Sequence, residues 1–311
     1  MTDQAIGTTS GKNVEIKGRS LWDDARRRLF ANKAAVGGMI VLSLMIFMAM
    51  FGENLSPHAL NDQNYLYTSG APTLSAQTAS GESTFYLFGT DANGRDIFTR
   101  TWFGARISLT IGFIATAVSL MIGVLYGATA GFMGGRVDEV MMRFVDIMYS
   151  LPFMFFVIIL MVVFGREGGI GNLLLLFAAI GLVEWLTMAR IVRGQTLSIR
   201  QKEFIEAAEA GGVARGVMIR RHIVPNVLGQ VAVYVTLTIP SVILTESFLS
   251  FLGLGVQEPF TSWGRLISEG AQELETAPWM LIFPATLMAV TLFCFNFIGD
   301  GLRDALDPKD R

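Results

Sequence analysis

Apolar residues in this chain gather into long unbroken runs, not into the alternation of a half-buried strand or the single stripe of a soluble helix. A helix that crosses a membrane needs about 20 predominantly apolar residues, and six stretches qualify: 34–51, 107–130, 144–164, 171–191, 227–249 and 280–298. Barrel strands would instead alternate apolar and polar residues over about 10 positions. The pattern therefore predicts an all-α integral membrane protein with six transmembrane helices. The polar stretches divide the rest: a tail over 1–33, an anchor helix over 34–51, a segment over 52–103, a core over 104–303 with a charged loop at 193–226, and a tail over 304–311.

Composition agrees. Of 311 residues, 52% are hydrophobic and 16% charged, with mean hydropathy +0.49, which is too apolar for a soluble domain of that size. Nineteen of the 24 Lys and Arg fall on one side of the six runs, and five (Arg95, Arg100, Arg106, Arg166 and Arg265) on the other. Positive residues collect on the cytoplasmic side, so both termini and the 193–226 loop are expected in the cytoplasm, with 52–103 outside. The first run is 18 residues long behind a leader of more than 30, with no Ala-x-Ala site after it, which fits an uncleaved anchor better than a signal peptide. Cys294 is the only cysteine, so disulfides within the chain and cysteine-based metal sites are excluded. A net charge of −2 argues against a nucleic-acid partner.

Within the spans, Gly123, Gly127, Gly131 and Gly135 recur every fourth residue. Small residues at that spacing let helices pack closely; Gly123 and Gly127 are read as packing positions, and Gly131, Gly134 and Gly135 as a turn. Pro152, Pro240 and Pro284 lie in the third, fifth and sixth runs, and each is expected to kink its helix. The external middle, 68–84, is rich in Ser, Thr, Gly and Gln and is not expected to build a core. The second external stretch, 256–279, carries Trp263 and Trp279 and is expected to rest on the membrane surface.

Candidate chemistry is sparse. Asp146, Glu184 and Glu246 are the carboxylates near or within spans; Glu184 and Glu246 could line a polar cavity, and Glu184 could serve a proton-coupled carrier. Asp91 to Asp96 lacks the Glu that a calcium loop needs at its twelfth position, where Trp102 stands. No lysine sits in a phosphate-binding loop, and the two histidines, His58 and His222, form no zinc pair. No metal site, cofactor or catalytic residue is expected on this chain.

The loop is the exception. Glu206-Ala207-Ala208, then Gly211-Gly212, then His222-Ile223-Val224-Pro225-Asn226 read as helix, turn, helix. Glu203, Glu206 and Glu209 share one face, while Ala207 and Ala208 leave room for another surface.

Glu206-Ala207-Ala208-x-x-x-Gly212 followed by Val224-Pro225 resembles the EAA loop of permease subunits in bacterial ABC importers, with His222 where that family usually carries Ile. Phe88-Gly89-Thr90-Asp91, Gly104-Ala105-Arg106, Glu246 to Gly255, Ser262-Trp263-Gly264 and Asn296 to Pro308 are similar to the C-type permeases of the peptide/nickel family. The resemblance implies a type I importer permease, with a MetI-like core behind an N-terminal anchor helix in the bacterial inner membrane. It also implies a second homologous permease subunit, two cytoplasmic ATPase subunits that carry ATP and magnesium, and a periplasmic peptide-binding protein. Glu206, Ala207, Ala208, Gly212, Val224, Pro225 and Asn226 would then couple the spans to an ATPase. Oligopeptides are the implied cargo. A dipeptide or nickel chelate, or proton-coupled carriage without ATPases, is the alternative.

Overall fold

The computed structural model describes residues 21–78, 81–165 and 169–306. Most of the expected tails, and Arg166 on the expected outer side, lie outside the described residues. Lys33–Phe51 forms α2 and Ile97–Met133 the 37-residue α3, while Gly169–Arg200 is α6, Val224–Phe251 α9 and Trp279–Leu306 α11. These five are long and apolar enough to cross a membrane, and the broken pair Gly135–Ser150 (α4) and Phe153–Phe164 (α5) supplies a sixth span if taken as one. A short helix, α1 (Leu21–Ala31), precedes α2 and packs on α11.

The third run is not one kinked helix. Pro152 has no N–H to donate and holds Leu151 in an extended conformation (φ −82°, ψ 132°). The helix stops there and restarts with a bend of 78°. Pro240 and Pro284, by contrast, lie buried within continuous α9 and α11.

Small residues set the centre of the bundle. A Cβ on Gly123 would lie 2.6 Å from the Met188 Cβ, one on Gly127 would strike the Ala189 carbonyl oxygen, and one on Gly131 would come within 2.8 Å of the Thr196 Cβ. All three glycines hold α3 against α6, so Gly131 belongs to the packing seam and not to the turn assigned from sequence. The turn is made by Gly134 and Gly135, whose φ values of 64° and 53° favour glycine. Elsewhere a Cβ on Gly38 would lie 3.1 Å from the Cys294 carbonyl oxygen of α11, so this glycine lets α2 join the bundle.

At one end, which we call the cap, the segment between α2 and α3 is ordered around a two-stranded antiparallel hairpin, Thr73–Gln77 (β1) and Ser83–Tyr86 (β2). Tyr86 anchors it, stacked on His58 and Tyr67 and donated to by the Asn64 amide. Aromatic residues at its edges supply what its Ser/Thr-rich middle lacks, so the segment is ordered although that middle carries few large apolar residues. The stretch after α9 is not laid on a surface either: Trp263, at the start of α10 (Trp263–Gln272), is fully buried. Its backbone N–H donates to the Ser108 hydroxyl at 3.1 Å, and its indole N–H to the Thr101 carbonyl at 3.2 Å.

Candidate functional site at the α7–α8 connection

At the end opposite the cap, the chain leaves α6 and forms α7 (Glu203–Ala210) and α8 (Arg215–Met218). Glu203 and Glu206 lie in the first turn of α7, where carboxylates suit the helix dipole. Gly211 ends it, and Gly212 reverses the chain at φ 76°; the Gly212 and Val213 N–H groups donate to the carbonyls of Glu209 and Ala208 at 3.0 and 3.2 Å. Glu203, Glu206, Ala207 and Glu209 are exposed, and Ala208 is half-buried.

What holds this exposed unit is apolar and was not singled out in the sequence. Ile205, Met218 and Ile223 are fully buried among Val124, Ala128, Val192 and Ile199 of α3 and α6. The signal was present as isolated apolar positions in a charged stretch, but they are too few to show a periodicity.

Beyond α8 the chain does not break before the next span. Residues Ile219–Ile223 form one wide π turn, in which the Val224 N–H donates to the Ile219 carbonyl, and α9 follows directly. Pro225 has no N–H for the preceding turn, and the Asn226 amide donates to the His222 carbonyl at 2.6 Å. Residues 215–251 are thus one helical element. Ala214, Gly216, Val217, Arg220, Arg221 and Pro225 line an open cleft of about 860 Å³ along its outer side. The residues singled out in the loop are therefore brought to one end, with Glu206 and Ala207 on α7, Gly212 at the turn, and Val224, Pro225 and Asn226 at the root of α9.

The two carboxylates assigned to a cavity separate. Glu246 is fully buried, with Oε1 accepting from Ser250 at 2.6 Å and from Ser262 at 2.7 Å. It ties α9 to the start of α10. Glu184 is half-buried within α6, with no hydrogen-bond or ion-pair partner among the described residues.

The cap holds a charge network centred on Asp91. Asp91 accepts from the Asn93 and Arg95 N–H groups at 2.8 Å, from Arg95 Nε at 2.7 Å, and from Arg100. Arg95 reaches Glu258 at 2.9 Å, and Arg100 reaches Glu269 at 3.0 Å, in turn bound by Arg265. Its hydrogen bond to Arg95 holds the Glu258 carboxyl below the usual carboxylate range. Burial opposes the charge on Arg95, and its bond to Glu258 with the charge of Asp91 outweighs that burial. No group of His, Cys, Asp and Glu that could hold a metal occurs among the described residues.

A bundle of apolar spans with an anchored polar helix pair at one end defines a helical, multi-pass membrane protein. The family described as "Binding-protein-dependent transport system inner membrane component" matches residues 123–311, and the "N-terminal TM domain of oligopeptide transport permease C" matches residues 20–72. The chain belongs to this family of inner-membrane transport components and is a multi-pass inner-membrane protein. It is 53% identical to the oligopeptide transport system permease protein OppC of Haemophilus influenzae, over 96% of this chain and 92% of that protein. It is 56% identical to the Escherichia coli (strain K12) protein of the same name, over 96% and 95%. The dipeptide transport system permease protein DppC of Bacillus subtilis is 44% identical over 96% and 89%. Among solved structures, an inward-facing conformation of the MetNI methionine ABC transporter superposes with a TM-score of 0.53 at 17% identity, covering 66% of this chain and 94% of that one. That likeness establishes the type I importer permease fold.

Proposed function

We propose that this chain is one of two homologous permease subunits of an importer that carries oligopeptides across the bacterial inner membrane. In this reading two cytoplasmic ATPase subunits hydrolyse ATP with magnesium, and a periplasmic peptide-binding protein delivers the cargo. Both termini and the α7–α8 end face the cytoplasm, consistent with the nineteen-to-five division of Lys and Arg.

One observation carries the reading. The unit α7–α8 presents an acidic edge and an open cleft, yet Ile205, Met218 and Ile223 anchor it in the bundle and a 37-residue helix continues from it into a span. It is both exposed to a partner and mechanically joined to the transport path. Glu206 offers the ATPase a charged hydrogen-bond acceptor, Ala207 and Ala208 allow close approach, Gly212 sets the turn, and Val224, Pro225 and Asn226 fix the root. Movement of the docked ATPases would then tilt α9. The oligopeptide assignment is supported by relatives at 53% and 56% identity; dipeptides, at 44%, are the second reading.

Gly212→Val tests the lever. A Cβ there would meet nothing within 4 Å, so the change strains only the backbone, where a β-branched residue at positive φ is disfavoured. Strain of that kind should lower oligopeptide uptake about tenfold while the chain still accumulates in the membrane. Normal uptake would sink the lever.

A further inference from the structure

Lipid offers a carboxylate no partner, so an ionisable side chain at membrane depth faces either protein or a water-filled path. Glu184 has no hydrogen-bond or ion-pair partner among the described residues. On α6 it shares a face with Gln195, eleven residues on and three turns away. Gln195 lines a cleft of about 370 Å³ with Gln230, Tyr234 and Leu237 of α9 and Arg303 of α11. From Tyr234 the same face of α9 continues to Ser241, which is exposed, and Thr245, which is half-buried. Glu184 stands about 24 Å along α6 from Arg200, and Ser241 about 26 Å along α9 from Val224, so both lie at one level in the spans. Polar groups therefore run up the α6–α9 seam from the cleft to mid-membrane, with the unpaired carboxylate at the top.

Resting on the importer reading above, we propose that this seam is the wall along which cargo passes, and that Glu184 reads the positive charge of its side chains, pairing with a lysine ammonium of the peptide. The amides of Gln195 and Gln230 and the hydroxyls of Tyr234 and Ser241 supply neutral donors and acceptors to the peptide backbone. A single fixed charge suits a path that must bind and then release, because each added ion pair would slow departure.

Membrane vesicles holding the complete importer are given trialanine and trilysine. Glu184→Gln should lower trilysine uptake about fivefold relative to trialanine, the upper range for a partly solvated ion pair, and Glu184→Asp should restore the ratio. The binding protein and ATPases are the same in every variant, so the ratio isolates this chain. An unchanged ratio, or an equal loss for both peptides, overturns the proposal. Independently, Ser241→Cys in a Cys294→Ala background should react with a membrane-impermeant thiol reagent in the assembled importer. Failure to react would mean that lipid or the second permease subunit covers the seam, and overturns it as well. If the unmodified importer takes up neither peptide, the importer reading itself fails, and this one with it.

Discussion

The two ends of the bundle are polar for opposite reasons. At the cap, charges are turned inward: Asp91 and Arg100 are 2% and 3% exposed in their side chains and are bound to each other. At the α7–α8 end the charges of Glu203, Glu206 and Glu209 point outward, and the interior contacts are apolar, from Ile205, Met218 and Ile223. A buried ion pair fixes geometry, because losing one partner strands the other away from water. Apolar anchors under a charged surface hold a unit in place while leaving its polar face free for another chain. The cap is built to keep its shape, and the opposite end presents an exposed polar face.

The contrast can be broken most severely at Asp91. Asp91→Ala removes the buried acceptor that two arginines share and should cost about 3 kcal/mol, seen as a large fall in the thermal midpoint of the purified protein in detergent. A fall no larger than that of a surface substitution would show that the cap is not rigid in the sense argued. Next comes Ile205→Ala, expected to lose about 2–4 kcal/mol of local packing. Its signature should be faster protease cleavage within 203–218 while the cap stays protected; equal loosening at both ends would contradict independent anchoring. A smaller effect is expected for Glu206→Lys, an exposed charge worth up to about 1 kcal/mol of contact. The chain should insert normally and capture less ATPase, with the deficit shrinking as salt is raised. The smallest effect concerns Glu258. Its carboxyl is held below its ordinary range, so its contribution is present above the unfolded value and disappears as pH falls through the lower, folded one. Glu258→Gln should lower stability slightly at neutral pH, flatten the acid side of the stability profile, and make no difference below the folded value.

Much of this fold was legible because membrane spans announce themselves by length. The apolar runs located every long helix, and the spacing of Glu206, Ala207, Ala208 and Gly212 marked the exposed unit. What the runs could not convey was where a span continues beyond the apolar zone. The first three turns of α3 are buried among polar partners in the cap, so Arg100 and Thr101 read as loop. The same cause hid the continuity of α8 with α9, since Arg220 and Arg221 interrupt hydropathy without interrupting the helix. Gly131 was misread because a glycine beside a turn carries the same letter whether it admits a neighbouring helix or reverses the chain. The serine donors of Glu246 could not be read from the sequence because they come from separate places, Ser250 one turn away and Ser262 beyond the helix end.

The seam of Gly123, Gly127 and Gly131 has a consequence for how the molecule can change shape. Where large side chains interdigitate from both sides, helices can slide by exchanging rotamers, but here α3 contributes only glycines, on which the α6 backbone and the stems of Met188, Val192 and Thr196 rest directly, leaving little to repack. The two helices form a keel. Rearrangement is thereby pushed outward to α4 and α5, already severed at Leu151–Pro152, and to α9, whose root is the α7–α8 unit. The stationary part of the machine is written in its smallest residues.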